Sequence, residues 1–373
     1  MPGGVWLVLH LDAKKRGSME QQLIALARRV REEAVPVTMV FAAEPAPFPG
    51  RELRAAGVEL RTLDFARPVR AAAQLGVWLG VERAELVHFH FIDPYSGSVR
   101  VARLSGARVL VHDHLCPAPG SGLRGALKRA RGAVLNRFVD LRVAVSSYVA
   151  EAVARAHAVP PGRIAVVENG IDLARFHRAD GASVRRELGL GEQPLIVCVA
   201  RLDAEKGGET LLRAMPLVAR GAHLAFAGEG PRLSRWKELA AELRVAHRVH
   251  FLGLRSDVEE LMAASNVVVV PSEYEEAFGL AVVEGMASAR PVVVTRSGAM
   301  PELVGETGLV VDKRDPRGLA AAVNRLLDDR VLAARLGSAA QARAQERFGM
   351  DRFVQRTVDL YRRVRTLSTQ QAA

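Results

Sequence analysis

Only two cysteines, Cys116 and Cys198, occur in 373 residues, too few for a disulfide framework. Aromatic residues make up 5% of the chain and no nucleic-acid-binding motif is present, so composition argues against a nucleic-acid partner. Long apolar runs are missing too. Val267–Val270 is typical, far short of the roughly 20 residues that cross a bilayer. The opening stretch MPGGVWLVLHLDAKK has its charges after the apolar residues and no small-residue cleavage site. No secretory leader is expected, and the cytoplasm is the expected location.

Several catalytic signatures are absent as well. No Gly-x-Gly-x-x-Gly stretch directly follows an expected strand; Gly228-Glu229-Gly230 stands nearest to a strand end, but Pro231 follows and the third glycine is missing. A nicotinamide dehydrogenase is therefore disfavoured. Gly-Lys-Ser/Thr does not occur, which removes P-loop enzymes, and Ser146-Ser147 lacks the glycines of a hydrolase elbow. Asp-x-Asp does not occur, so a paired-carboxylate Mg²⁺ site for a diphosphate is not expected. No metal is assigned to the reaction, and no cofactor.

What is present is a globular composition, 49% hydrophobic and 25% charged, long enough for two domains. The formal charge of +11 is uneven: residues 1–185 hold 26 basic and 17 acidic residues, whereas residues 186–373 hold 26 and 24. A basic half suits an anionic membrane surface or a phosphorylated substrate, and equally an ordinary solvated surface. Short β-branched runs alternate with segments of helical period, the pattern of βα units around a parallel sheet.

Strands are expected near 5–11, 35–42, 58–63, 85–91, 108–114, 141–146 and 163–167, with helices over 18–31, 123–137 and 147–157. Ser18 and Gln21 have the spacing of a capping box. The polar stretch 179–194 is expected to link this domain, 1–178, to a second one over 195–346. That second series has strands near 195–200, 223–227, 249–252, 267–270 and 291–295, and Ser256-Asp257 is expected to cap the helix over 258–264. A last helix near 350–364 presents Phe353, Val358, Leu360 and Tyr361, which need a surface to cover.

Three stretches of the second half carry chemistry. Arg201 and Lys206 lie five residues apart after its first strand, before Gly207-Gly208; Arg can chelate two phosphate oxygens and Lys adds a compact charge. A solvated loop has the same composition. Glu276 and Glu284 flank a turn into a helix beginning near Gly279, so the N–H groups of Gly279, Leu280 and Ala281 would face an anion. Glu284 sits among Leu280, Val282 and Val283 and needs a partner there. Thr295-Arg296-Ser297-Gly298-Ala299-Met300-Pro301-Glu302 forms a further strand-to-helix turn.

In the first half His88 and His90 alternate on one strand, and His112 and His114 on the next, so each pair faces one side. That spacing suits zinc, and it also suits packed histidines. Residues 117–122 form a loop before a basic helix carrying Arg124, Lys128, Arg129, Arg131 and Arg137, and Lys14-Lys15-Arg16 follows the first strand. Both stretches suit a solvated face or an anionic acceptor.

Together these motifs resemble the GT-B glycosyltransferases of the large retaining family 4, over nearly the whole chain. The match rests on Glu276 and Glu284 with Phe278-Gly279-Leu280 between them, on Arg201 and Lys206, and on Gly228-Glu229-Gly230-Pro231, Phe251-Leu252-Gly253 and Glu168-Asn169-Gly170-Ile171-Asp172 in the same order. The resemblance implies two Rossmann-like α/β/α domains facing a cleft, with the segment 347–373 crossing back to the first. It implies that Arg201 and Lys206 stabilise a leaving diphosphate, Glu276 contacts the donor sugar and Glu284 holds the ribose. His114 would orient the donor sugar, with His112 the fallback. Gly17-Ser18, Phe278, Gly279 and Leu280 complete the donor site. The usual double glycines read Gly17-Ser18 and Gly298-Ala299 here.

The expected reaction is retaining transfer from a nucleotide-diphosphate sugar, a UDP-sugar ahead of a GDP-sugar, to a hydroxyl of a carbohydrate, lipid-linked or small-molecule acceptor. It would need no metal, and a peripheral contact at the inner membrane face would bring a lipid-linked acceptor. The alternatives are an epimerase or phosphorylase on the same fold, a zinc hydrolase built on the paired histidines, and a non-catalytic binding module.

Overall fold

The computed structural model describes residues 4–13, 17–118, 120, 122–219 and 221–366. Lys14, Lys15, Arg16, Pro119 and Ser121 lie outside them. The chain divides into two compact units, Met1–Gly170 with Met350–Ala373, and Ile171–Gly349.

The first unit is built on seven parallel strands: β1 (Val5–Leu9), β2 (Val37–Phe41), β3 (Glu59–Thr62), β4 (Leu86–His90), β5 (Arg108–Asp113), β6 (Leu141–Ala144) and β7 (Ile164–Val166). Their order is β3-β2-β1-β4-β5-β6-β7, so the winding reverses between β1 and β4. β1, β2 and β4 are buried along their whole length, as continuous apolar runs in a sheet covered on both faces must be. One face packs Leu7, Leu9, Leu86 and Leu110 under the helices Ser18–Glu32 and Met350–Thr366, and the other packs Trp6, Val8, Val87 and Phe89. The terminal helix buries Phe353, Val358 and Tyr361 as expected, while Leu360 is only partly covered.

The second unit has six parallel strands: β8 (Leu195–Val199), β9 (His223–Ala227), β10 (Val249–Phe251), β11 (Val267–Val270), β12 (Val292–Thr295) and β13 (Leu309–Val311). The order β10-β9-β8-β11-β12-β13 reverses between β8 and β11. Four consecutive valines make β11, paired through Val268 with Val197 on one side and Val292 on the other.

Three local expectations are corrected. The cap of the helix Ser18–Glu32 is Gly17, and Ser18 is its first helical residue, so no Ser18–Gln21 capping box forms. Asp257 stands at the cap of Val258–Ala264 without a side-chain bond to it, because Arg255 holds its carboxylate at 2.7 and 2.8 Å. The stretch 179–194 is no free linker. It contains the helix Ala182–Glu187, whose Val184 is buried, and Arg185 donates to the carbonyls of Ala264, Gly191 and Gln193. Residues 171–178 also belong to the second unit, where Arg175 pairs with Glu259. The division therefore falls at Gly170/Ile171 and Gly349/Met350.

Candidate active site

In the second unit all the singled-out stretches leave the carboxyl ends of neighbouring strands. Residues 200–207 follow β8, 228–231 follow β9, 271–279 follow β11 and 296–299 follow β12. Ligands of open parallel sheets bind where the strand order reverses, here between β8 and β11.

Close backbone approach explains the glycines. Gly207 has φ +70°, and a Cβ there would lie 1.8 Å from the carbonyl oxygen of Pro271. Gly298 has φ +53° and packs against the backbone of Glu276, where a Cβ would come within 2.0 Å of the carbonyl oxygen. The amide of Ala299 donates to that same oxygen at 2.8 Å, so the turn after β12 holds the loop after β11.

Within this frame Lys206 and Glu276 meet. Lys206 Nζ donates to Glu276 Oε1 at 2.8 Å and to the Tyr274 hydroxyl at 2.9 Å. Ser272 donates to Glu276 Oε1 and Tyr274 to Oε2, both at 2.6 Å. Glu276 is only 7% exposed, and an ionised carboxylate so placed needs these donors. Burial, and then the charge of Glu276, push the Tyr274 phenol above its ordinary range, so it stays protonated and donates.

Arg201 behaves differently. Its side chain is 67% exposed and pairs with Asp203 and Glu205. The loop beneath it is held by main chain, where Leu202 N–H donates to Glu229 O at 2.9 Å.

The helix after the β11 loop is Leu280–Ala287, capped by Gly279 at φ +111°, close to the expected start. Glu276 lies before it and Glu284 inside it, half-buried, within the electrostatic reach of Arg175. Phe278 is buried edge-on to Phe348, a packing role, with ring centroids 5.8 Å apart. Leu280 remains half-buried.

In the first unit His88, His90, His112 and His114 share one face of β4 and β5, and His90 pairs in register with His112. His114 Nε2 lies 2.9 Å from His90 Nδ1, and its ring stacks on Phe91 and His112. Desolvation holds all four far below the ordinary imidazole range, His90 at about 3, so all are neutral. Asp113 points to the other face, as the alternation predicts, and is held by Arg142. His88, His90 and His112 are at most 3% exposed, so the rings offer a hydrolase substrate almost no surface.

The basic helix spans Gly122–Leu135 and leaves Leu123, Leu127 and Val134 exposed beside Arg124 and Lys128. It meets the helix Ser147–His157 at Gly132, where a Cβ would lie 2.0 Å from the carbonyl oxygen of His157. Among the described residues no helix is long and apolar enough to cross a membrane.

Sequence reasoning missed Tyr274 and Ser272, which hold the carboxylate it had singled out. Their spacing, two and four residues before Glu276, was the available signal. It also passed over Gly120-Ser121-Gly122-Leu123-Arg124-Gly125, which has the dinucleotide glycine spacing but starts seven residues beyond the end of β5.

Comparison with known proteins bears on both units. Residues 19–175 match the family described as Glycosyltransferase Family 4, and residues 193–329 the family described as Glycosyl transferases group 1. A GDP-mannose-dependent alpha-(1-6)-phosphatidylinositol monomannoside mannosyltransferase of Mycobacterium tuberculosis is 32% identical over 297 residues, 74% of this chain and 76% of that protein. A D-inositol 3-phosphate glycosyltransferase of Acidothermus cellulolyticus is 32% identical, over 96% of this chain and 89% of its own. Among solved structures, Anabaena Alr3699/HepE in complex with UDP has a TM-score of 0.81 at 23% identity, covering 98% of this chain and all of that one. The likeness of that structure is one of fold.

Proposed function

This chain belongs to the family 4, group 1 glycosyltransferases, with the GT-B fold, and on that premise we propose retaining transfer from a nucleotide-diphosphate sugar to an acceptor hydroxyl. The observation that carries the reading is the Lys206–Glu276–Tyr274 cluster at the strand-order reversal of the second unit. A cation and a carboxylate held together there suit a diphosphate bonded to a sugar. Lys206 and Arg201 take the charge that develops as the bond between the anomeric carbon and the phosphate oxygen breaks. The free N–H groups at the start of Leu280–Ala287 add to it, Glu276 bonds the sugar and Glu284 the ribose.

The acceptor oxygen bonds to the anomeric carbon on the face the diphosphate leaves, and a leaving phosphate oxygen takes its proton. Positioning and charge stabilisation supply the catalysis. His114 bonding a donor-sugar hydroxyl, and Gly17-Ser18 approaching the phosphate, are supported by the resemblance; a kcat loss in His114→Ala tests the first.

A UDP-sugar is favoured, and the mannosyltransferase relative keeps a GDP-sugar in play. The exposed leucines beside Arg124 and Lys128 suit a lipid-linked acceptor at an anionic surface. Metal independence is supported by the Lys206 ammonium, which stands on Glu276 where a bound cation would otherwise sit. Adding Mg²⁺ to a cation-free assay should leave turnover unchanged, and a strict Mg²⁺ requirement would contradict it.

Thermal shift against UDP-, GDP- and ADP-sugars identifies the donor, and NMR of the product's anomeric proton reads the stereochemistry. An inverted product would overturn retention. Phosphate-dependent release of sugar, or epimerised donor without acceptor, would select the phosphorylase or epimerase instead.

A further inference from the structure

We propose that His88, His90 and His112 form a buried binding site for a borderline divalent metal ion, Zn²⁺ foremost, inside the first unit. One ring nitrogen from each lies within 4.8 Å of the other two. The three side chains are 0%, 2% and 3% exposed, and they come from two adjacent strands on one face.

The hydrogen bonds of the cluster leave the inward nitrogens without partners. His88 Nδ1 lies 2.8 Å from the Tyr361 hydroxyl and His90 Nδ1 2.9 Å from His114 Nε2. Their Nε2 atoms, and both nitrogens of His112, are buried with no hydrogen-bond partner among the described residues. His88 and His90 thus have the form of metal-bound histidines, with one ring nitrogen fixed by an outer partner and the other free to ligate, and His112 offers either nitrogen.

Imidazole ligates through an unprotonated ring nitrogen, and the unpartnered atoms of the cluster offer one from each ring. Imidazole suits zinc, copper and nickel, whereas Mg²⁺ and Ca²⁺ prefer oxygen. Asp113, the nearest acid in sequence, faces away to Arg142. Three neutral ligands therefore leave the ion its charge and a fourth position for a small anion or hydroxide.

The ion would tie β4 to β5 and, through Tyr361, to the terminal helix. Its test reads metal content and Tm rather than turnover, so it does not depend on the donor reading.

The whole chain is incubated with Zn²⁺ or Co²⁺, desalted and assayed for metal. About one equivalent per chain is expected, with a fall in Tm when a chelator removes it. His112→Gln and His88→Gln should lose the ion, while His10→Gln, outside the cluster, should keep it. If the cluster variants fail to fold, the Co²⁺ form of the unaltered chain decides. Three hyperfine-shifted, solvent-exchangeable imidazole N–H resonances support the site; fewer overturn it. Folded protein that takes up under a tenth of an equivalent, or variants that keep the full equivalent, would reduce the cluster to a metal-free histidine stack.

Discussion

Lys206 Nζ sits 2.8 Å from Glu276 Oε1 across seventy residues of sequence, and Tyr274 bonds to both partners. The ammonium is thus aimed before any donor arrives. Lys206→Ala and Arg201→Ala should each lower turnover by about a hundredfold or more, the scale of losing one group that stabilises developing charge. Near-normal steady-state rates in both variants would remove the diphosphate assignment.

Tyr274 supports the same carboxylate. Tyr274→Phe removes a donor from a buried charged acceptor, so unfolding free energy should fall by about 1–3 kcal/mol in urea titration. An unchanged midpoint would mean that Ser272 and Lys206 satisfy Glu276 by themselves.

The turn at Gly298 offers a controlled comparison. Gly189 and Gly298 both have positive φ, +64° and +53°, yet a Cβ at Gly189 meets nothing within 4 Å among the described residues, whereas one at Gly298 meets the backbone of Glu276. Gly189→Ala should cost about 1–2 kcal/mol, from the left-handed backbone alone. Gly298→Ala should cost more and also lower kcat, since relieving the clash moves Glu276. Equal stability losses with unaltered kcat would contradict this.

Acid should destabilise the first unit through His157. Its pKa is lowered to about 4 from 6.5, first by burial and then by the charges of Arg142 and Lys128. The unfolded chain takes the proton near 6.5 and the folded chain only near 4. The contribution is therefore complete above 6.5 and is lost as pH falls towards 4. The slope is at most about 1.4 kcal/mol per pH unit, less after solvent screening. In His157→Gln, urea midpoints between pH 6.5 and 4 should fall less steeply than in the unaltered chain.

The strands were legible because a covered parallel sheet needs unbroken β-branched runs, and Val267–Val270 and Val292–Thr295 can do little else. The donor loops were legible from their charges and glycines at strand ends. Ser18 misled because its neighbour Gly17 takes the cap without a side chain. The stretch 179–194 misled because its composition is polar, while its anchoring depends on Arg185 reaching carbonyls as far away as Ala264. His-x-His spacing gave each pair its face. The convergence of His88, His90 and His112 needed the β4–β5 register, which no local pattern encodes.

The donor loops are spliced main chain to main chain: Leu202 to Glu229, Arg232 to Leu202, Glu273 to Glu205 and Ala299 to Glu276. None of these links uses a side chain. Loop residues other than the close-packed glycines and the bonded set around Glu276 can therefore be exchanged one at a time, and the substrate preference of the site redrawn, with its scaffold left standing. Proline alone is barred at 202, 232, 273 and 299, because each of those amides is a donor the splice requires.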